Sequence, residues 1–134
     1  MLKSIEGNFD HPEVNELLTK HFVELRASSP EGSAHVLDIP GLQISSIKFW
    51  SLWSDNLLMG CGALKFLDNQ HGEFKSIRIH DNFRNKGNGI NVVNHLITEA
   101  KKLDITKLSI ETGAGEFFKP ARKLFKQSGF KPCN

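Results

Sequence analysis

The apolar positions of this chain fall into two rhythms, one recurring every second residue and one every third or fourth. Val14, Leu17, Leu18, Phe22 and Leu25 keep helical spacing and predict a helix over Glu13–Ala27, with Asp10 as a cap and Pro12 in the first turn. A short strand at Leu2–Glu6 precedes it, closed by Gly7-Asn8. Ser28–Ser33 breaks the helix, and Ala34–Ile39 reads equally as a short helix or an irregular crossing ended by Pro40-Gly41. Three strands follow at Ile44–Ser54, Leu57–Leu67 and Glu73–His80. The short turns at Asp55-Asn56 and Asp68–Gly72 make them an antiparallel meander. Gly60 and Gly62 inside the second strand predict a bulge or a close backbone approach. Helical spacing returns over Gly89–Leu103 through Val92, Val93, Leu96, Ile97, Ala100 and Leu103. A strand at Leu108–Thr112, a loop at Gly113–Gly115 and a helix from Pro120 follow. Ala121, Leu124 and Phe125 form that helix's apolar face, and Gly129 ends it. Phe130–Cys133 opens a final strand that stops almost at once. The order β α (α) β β β α β α β gives a mixed α/β sheet, mostly antiparallel, with one parallel pair at the last crossover.

Composition narrows the picture. The 134 residues suit one domain, with 39% hydrophobic and 24% charged residues, as in ordinary globular chains. A net charge of +2 without a Lys/Arg tract argues against nucleic acid as partner. Neither an apolar run long enough to cross a membrane nor a secretory signal pattern is visible, so a cytoplasmic protein without membrane partners is expected. Cys61 and Cys133 are too few and too isolated for a disulfide framework or a metal site, and two free thiols are expected.

Candidate chemistry centres on Arg84-Asn85-Lys86-Gly87-Asn88-Gly89-Ile90, between a strand and a helix. Two glycines there admit a close ligand, the helix start offers unpaired N–H groups, and Arg84 and Lys86 add positive charge. The stretch reads as a pyrophosphate cradle. A P-loop is excluded because Gly89-Ile90-Asn91 lacks its lysine and hydroxyl. A dinucleotide fingerprint is excluded because Val92 stands where Gly or Ala is needed. The bland alternative is a glycine-rich helix start with solvated basic residues.

Arg-x-x-Gly-x-Gly over Arg84–Gly89 resembles the acyl-CoA loop of the GNAT superfamily of N-acetyltransferases. Leu108-Ser109-Ile110-Glu111-Thr112-Gly113 and Phe118–Phe125 with Gly129-Phe130 extend the resemblance over almost the whole chain. Ser29-Pro30, His35, Leu37-Asp38, Gly62-Ala63-Leu64 and Gly72–Ser76 are similar to small bacterial members. The resemblance implies the acyl-CoA N-acyltransferase fold, here lacking the usual final strand, with acetyl-CoA as acetyl donor and no metal. It assigns donor contacts to the backbone of Ile77, Arg78 and Ile79, to the cradle residues, and to Phe118, Ala121 and Phe125 of the last helix. It also puts a base near Glu73, eleven residues before Arg84. The strand period places Glu73 on one face with Ile77 and Ile79; the alternative is a solvated carboxylate paired with Lys75. Many members carry a tyrosine where Phe125 stands and an asparagine where Phe118 stands, and this chain has no tyrosine at all. The group that protonates the departing thiolate is therefore open, and a degenerate acyl-CoA-binding module is the competing reading. A plain interaction domain is a third.

The remaining polar residues have weaker roles. His35 and Glu111 are candidates for binding the acceptor, a small-molecule or peptide amine, although His35 can equally be structural and Glu111 can cap a loop. Arg78 either meets an acceptor carboxylate or faces solvent. Trp50 and Trp53 read as core or edge packing. A sheet ending in the short Phe130–Cys133 strand would leave an unpaired edge, which predicts a homodimer there, with Trp50 or Trp53 contributing if exposed.

Overall fold

The computed structural model describes residues 2–28, 39–84, 88–111 and 119–131. Five strands lie in sequence order across one sheet: β1 (Leu2–Glu6), β2 (Ile47–Ser54), β3 (Leu57–Phe66), β4 (His71–Ile79) and β5 (Lys107–Ile110). The first four pair antiparallel and β5 runs parallel to β4, as the short turns and the single crossover helix require. Asp55, at φ 55°, carries the β2–β3 turn. Asp68 carries the next, its carboxylate accepting the N–H groups of Gln70 and His71 at 2.8 Å each.

Helix α1 (Pro12–Ser28) buries Val14, Leu17, Leu18 and Phe22 against Phe49, Cys61 and Ala63 on one face of the sheet, and Leu42 of α2 (Ile39–Leu42) joins them. Each such side chain contributes roughly 1.5–3 kcal/mol by leaving water. On the opposite face α3 (Asn88–Lys102) sets Val92, Leu96 and Ala100 against Leu64 and Phe74. The short helix α4 (Lys119–Gln127) packs beside α3. Gly129, at φ 102°, closes α4: its N–H reaches Lys126 O and the next N–H, of Phe130, reaches Phe125 O.

Several expected boundaries move. Pro40 and Gly41 lie within α2 rather than ending a segment, because proline suits a helix's first turn and the buried Leu42 anchors the piece. Ile44–Ser46 forms a turn ahead of β2, with Ile47 N–H bonded to Ile44 O. Trp50 and Trp53 are buried, on opposite faces of β2, so neither is available to an interface. Phe130 and Lys131 are not part of the sheet; Phe130 instead stacks edge-on against Phe74 and Phe125. Residues 132–134 and the 34–38 part of the ambiguous segment lie outside the described residues.

The feature that matters most for function is a bulge in β4. Cys61 pairs with Arg78 and Ala63 with Lys75, so β4 holds one residue more than β3 over that interval. Ser76 absorbs it at φ 54°. The extra residue turns the rest of the strand over. Glu73 therefore shares the α1 face with Lys75 and Arg78, whereas Ile77 and Ile79 pack with Phe74 toward α3. The expectation that Glu73, Ile77 and Ile79 share a face is thus corrected. Close approach at Gly60 is confirmed: a Cβ there would stand 2.5 Å from the Arg78 carbonyl oxygen.

Candidate active site at the parting of β4 and β5

Parallel pairing of β4 with β5 runs from His71/Lys107 to Phe74/Ile110 and stops. Beyond it, Ile79 and Arg78 keep their β3 partners, and no described strand pairs with the other edge of Ile77–Ile79. The strands thus part just before the bulge at Ser76. A strand edge of this kind offers backbone N–H and C=O groups to an extended amide-bearing ligand. From there the chain turns through a 3₁₀ turn at Asp81–Phe83, capped by His80, into the start of α3.

The first-turn N–H groups of α3, at Asn88, Gly89 and Ile90, have no partner within the helix and point toward the turn. Asn88 also holds the turn, its side-chain amide donating to Phe83 O at 3.5 Å. The space left by Gly89's missing side chain is closed from the α4 side, where a Cβ would meet Leu124 at 3.2 Å. Glycine there serves the packing of α3 on α4. Arg84 is half-exposed, and its Nε donates to Ile79 O at 3.3 Å beside Asp81 Oδ1 at 3.5 Å. On α4, Phe125 is buried and Ala121 partly so. Asn85, Lys86, Gly87, Phe118 and His35 lie outside the described residues.

On the α1 face, Glu73 sits one register before the strands part, opposite Ser109 of β5. Its carboxylate is 2.8 Å from Lys75 Nζ, both side chains about one-fifth exposed. His71, two residues earlier on the same face, places Nε2 at 3.0 Å from Ser109 Oγ. Glu111, just past β5, is exposed. Further along β4, Arg78 is 4% exposed and does not face solvent. Its guanidinium is ion-paired with Glu24 of α1 and lies 3.4 Å from Asp81, which also pairs with Lys20. The bond from Arg78 holds the Glu24 carboxyl below its usual range, and the bond from Lys20 does the same for Asp81. Buried beside this network, His21 has its pKa lowered to about 4, first by burial and then by the Arg78 charge. Ser109, His71, Glu24 and His21 were not singled out in the sequence. For His71 the strand period through Glu73 was an available signal; the contacts of Glu24 with Arg78, 54 residues away, leave none.

The acetyltransferase (GNAT) family model matches residues 12–130. The chain belongs to that family. Its relatives include the uncharacterised N-acetyltransferase YsnE of Bacillus subtilis strain 168, 42% identical over 90% of this chain and 80% of YsnE. Another is the uncharacterised N-acetyltransferase YedL of Escherichia coli K12, 36% identical over 92% of this chain and 77% of YedL. Among solved structures, a GNAT acetyltransferase from Elizabethkingia anophelis with acetyl-CoA bound superposes with a TM-score of 0.69 at 19% identity, covering 99% of this chain and 78% of that one. An aminoglycoside acetyltransferase from a soil metagenome in complex with sisomicin superposes with a TM-score of 0.66 at 9% identity, over 99% of this chain and 90% of that one. Membership makes this GNAT protein an acetyl-CoA-dependent acetyltransferase, a transferase whose donor supplies an acetyl thioester. The free strand edge and the open N-terminus of α3 fit such a donor. Among the described residues no helix is long and apolar enough to cross a membrane, and no cluster of His, Cys, Asp or Glu is arranged to hold a metal ion.

Proposed function

We propose that the protein moves the acetyl group to a primary amine by direct attack, with Glu73 as the group that meets the amine's proton. The observation carrying this is the place of Glu73: on the α1 face, one register before β4 leaves β5. A thioester held along the free edge of Ile77–Ile79 would lie next to it, with the diphosphate against Arg84–Ile90 (Arg84, Asn85, Lys86, Gly87, Asn88, Gly89 and Ile90). Phe118, Ala121 and Phe125 would border the donor from the α4 side. An alkylammonium of pKa about 10 is mostly protonated at neutral pH, so a carboxylate at that point removes the main obstacle to attack. The thiolate, of pKa about 8.5, leaves without a protein acid, which fits the buried Phe125 ring where other members place a hydroxyl. The acceptor, a small-molecule or peptide amine, would enter on the α1 face beside Glu111, with His35 a further candidate contact from the sequence.

The test is thiol release from acetyl-CoA with a panel of amino acids, polyamines, aminoglycosides and peptides. Glu73→Gln is expected to lower turnover about 10²–10⁴-fold, the range for loss of a general base, while calorimetric affinity for acetyl-CoA stays unchanged. Full activity in that variant removes Glu73 from the role.

A further inference from the structure

Glu73 can take a proton only as often as it can pass one on, and its Lys75 ion pair gives that proton no exit. The next residues on the same face do. Ser109 stands directly opposite Glu73 across β4 and β5, a strand spacing of about 5 Å, and His71 Nε2 lies 3.0 Å from the Ser109 hydroxyl. Both side chains are partly buried, and His71 opens β4 at its solvent end, next to the turn. Glu73, Ser109 and His71 thus share one face of the sheet, from the parting of the strands to the turn that precedes β4.

We propose that Ser109 and His71 are a proton relay that carries the acceptor's proton from Glu73 to solvent. The proposal rests on the reading of Glu73 given above. The amine nitrogen forms a bond to the acetyl carbon and the carbon–sulfur bond breaks, its electron pair leaving on sulfur. The ammonium loses two protons overall. One ends on the thiolate. The other passes through Glu73 to Ser109 Oγ as the hydroxyl gives its own hydrogen to His71 Nε2, and the imidazolium then releases a proton to water. This direction requires the resting imidazole to carry its proton on Nδ1. The charges facing His71 are Asp68 in the preceding turn, whose carboxylate accepts the His71 N–H, Lys107 opposite on β5, and Glu73 and Lys75 along β4; Lys65 of β3 stands opposite Glu73.

The first experiment needs no acceptor. Nitrogen-15 spectra of the free protein are expected to show His71 as the Nδ1–H tautomer, with Ser109→Ala shifting the tautomer balance. An Nε2–H tautomer, donating to Ser109, overturns the relay. The second uses the fastest amine of the panel. His71→Gln is expected to lower kcat about 10–100-fold, within or just below the usual span for proton-transfer groups. Its acetyl-CoA affinity should be unchanged and one titration should vanish from the pH profile. Imidazole is expected to restore part of the rate of His71→Ala, and Ser109→Thr to retain more activity than Ser109→Ala. Turnover of His71→Gln within twofold of the parent from pH 6 to 9 overturns the relay, as does a loss matched by equal loss of acetyl-CoA binding. A silent Glu73→Gln alongside a damaged His71→Gln removes Glu73 and leaves His71; the reverse pattern removes the relay alone.

Discussion

Strand β4 carries two charged groups on one face, a few residues apart, and they are built in opposite ways. At its start, His71, Glu73 and Lys75 are partly open, and Glu73 and Lys75 satisfy one another at 2.8 Å. Past the bulge, Arg78 is closed under α1, held by Glu24 and Asp81, with its own Nε and the nearby His21 Nε2 left without hydrogen-bond partners. The first group, which water still reaches, can exchange its partner at lower cost than a fully buried pair. The second cannot, because separating a buried charge from its partner leaves that charge stranded in a poor solvent. On the reading proposed for Glu73, chemistry and anchorage are divided along a single strand, and the bulge marks the division.

The widest break in this contrast comes from pairing two variants. Glu73→Gln, expected to cost 10²–10⁴-fold in turnover, should change unfolding free energy by less than about 1 kcal/mol. Glu24→Gln should do the reverse, costing about 3 kcal/mol by leaving the buried Arg78 charge short of its partner, measured by urea denaturation. Equal destabilisation in both variants would erase the distinction.

Acid sharpens it next. The pKa of His21 is lowered in the folded protein, to about 4, so proton uptake favours the unfolded chain. Its contribution is fully present above the unfolded value near 6.5 and is lost as pH falls from there to about 4, amounting to roughly 3 kcal/mol. Glu24 and Asp81 are also lowered, and their contributions fall away at lower pH, below the ordinary carboxylate range. His21→Leu should flatten the stability profile between pH 6.5 and 4; a slope identical to the parent's would remove His21 as its source.

The smallest effects lie in two glycines of β3, Gly60 packed on β4 and Gly62 packed on α3. Gly60→Ala sets a methyl against the Arg78 carbonyl, which is fixed backbone, and should cost about 2–3 kcal/mol. Gly62→Ala meets both methyls of Leu96, the end of a side chain rather than fixed backbone, and should cost less, about 1 kcal/mol. The order of the two melting temperatures checks this.

The strand order was legible because turns and periods are local signals, and Asp55-Asn56, Gly129 and the Val92–Ala100 stripe act within a few residues. The start of α3 could be read for the same reason, since a strand, a Gly-x-Gly and a helical stripe are consecutive in the sequence. What was not legible lay in the bulge and across long separations. Ser76 at φ 54° has no compositional mark, and without it the two-residue period assigns Ile77 and Ile79 to the wrong face. Arg78 reads as meeting either an acceptor carboxylate or solvent, whereas its partner sits 54 residues away on another element. Ser109 was quoted only as part of a familiar segment, because its importance depends on which residue of β4 it meets.

Cys61 takes on a different meaning beside this site. It stands opposite Arg78 on β3, one strand in from the free edge of β4, with no exposed surface, and burial pushes its thiol up to about 12. A thiol kept neutral and covered is a poor nucleophile. In a protein that handles thioesters, that prevents a side reaction in which acetyl groups would be trapped on the enzyme's own sulfur, and it leaves Cys61 unfit to serve as a covalent acetyl carrier.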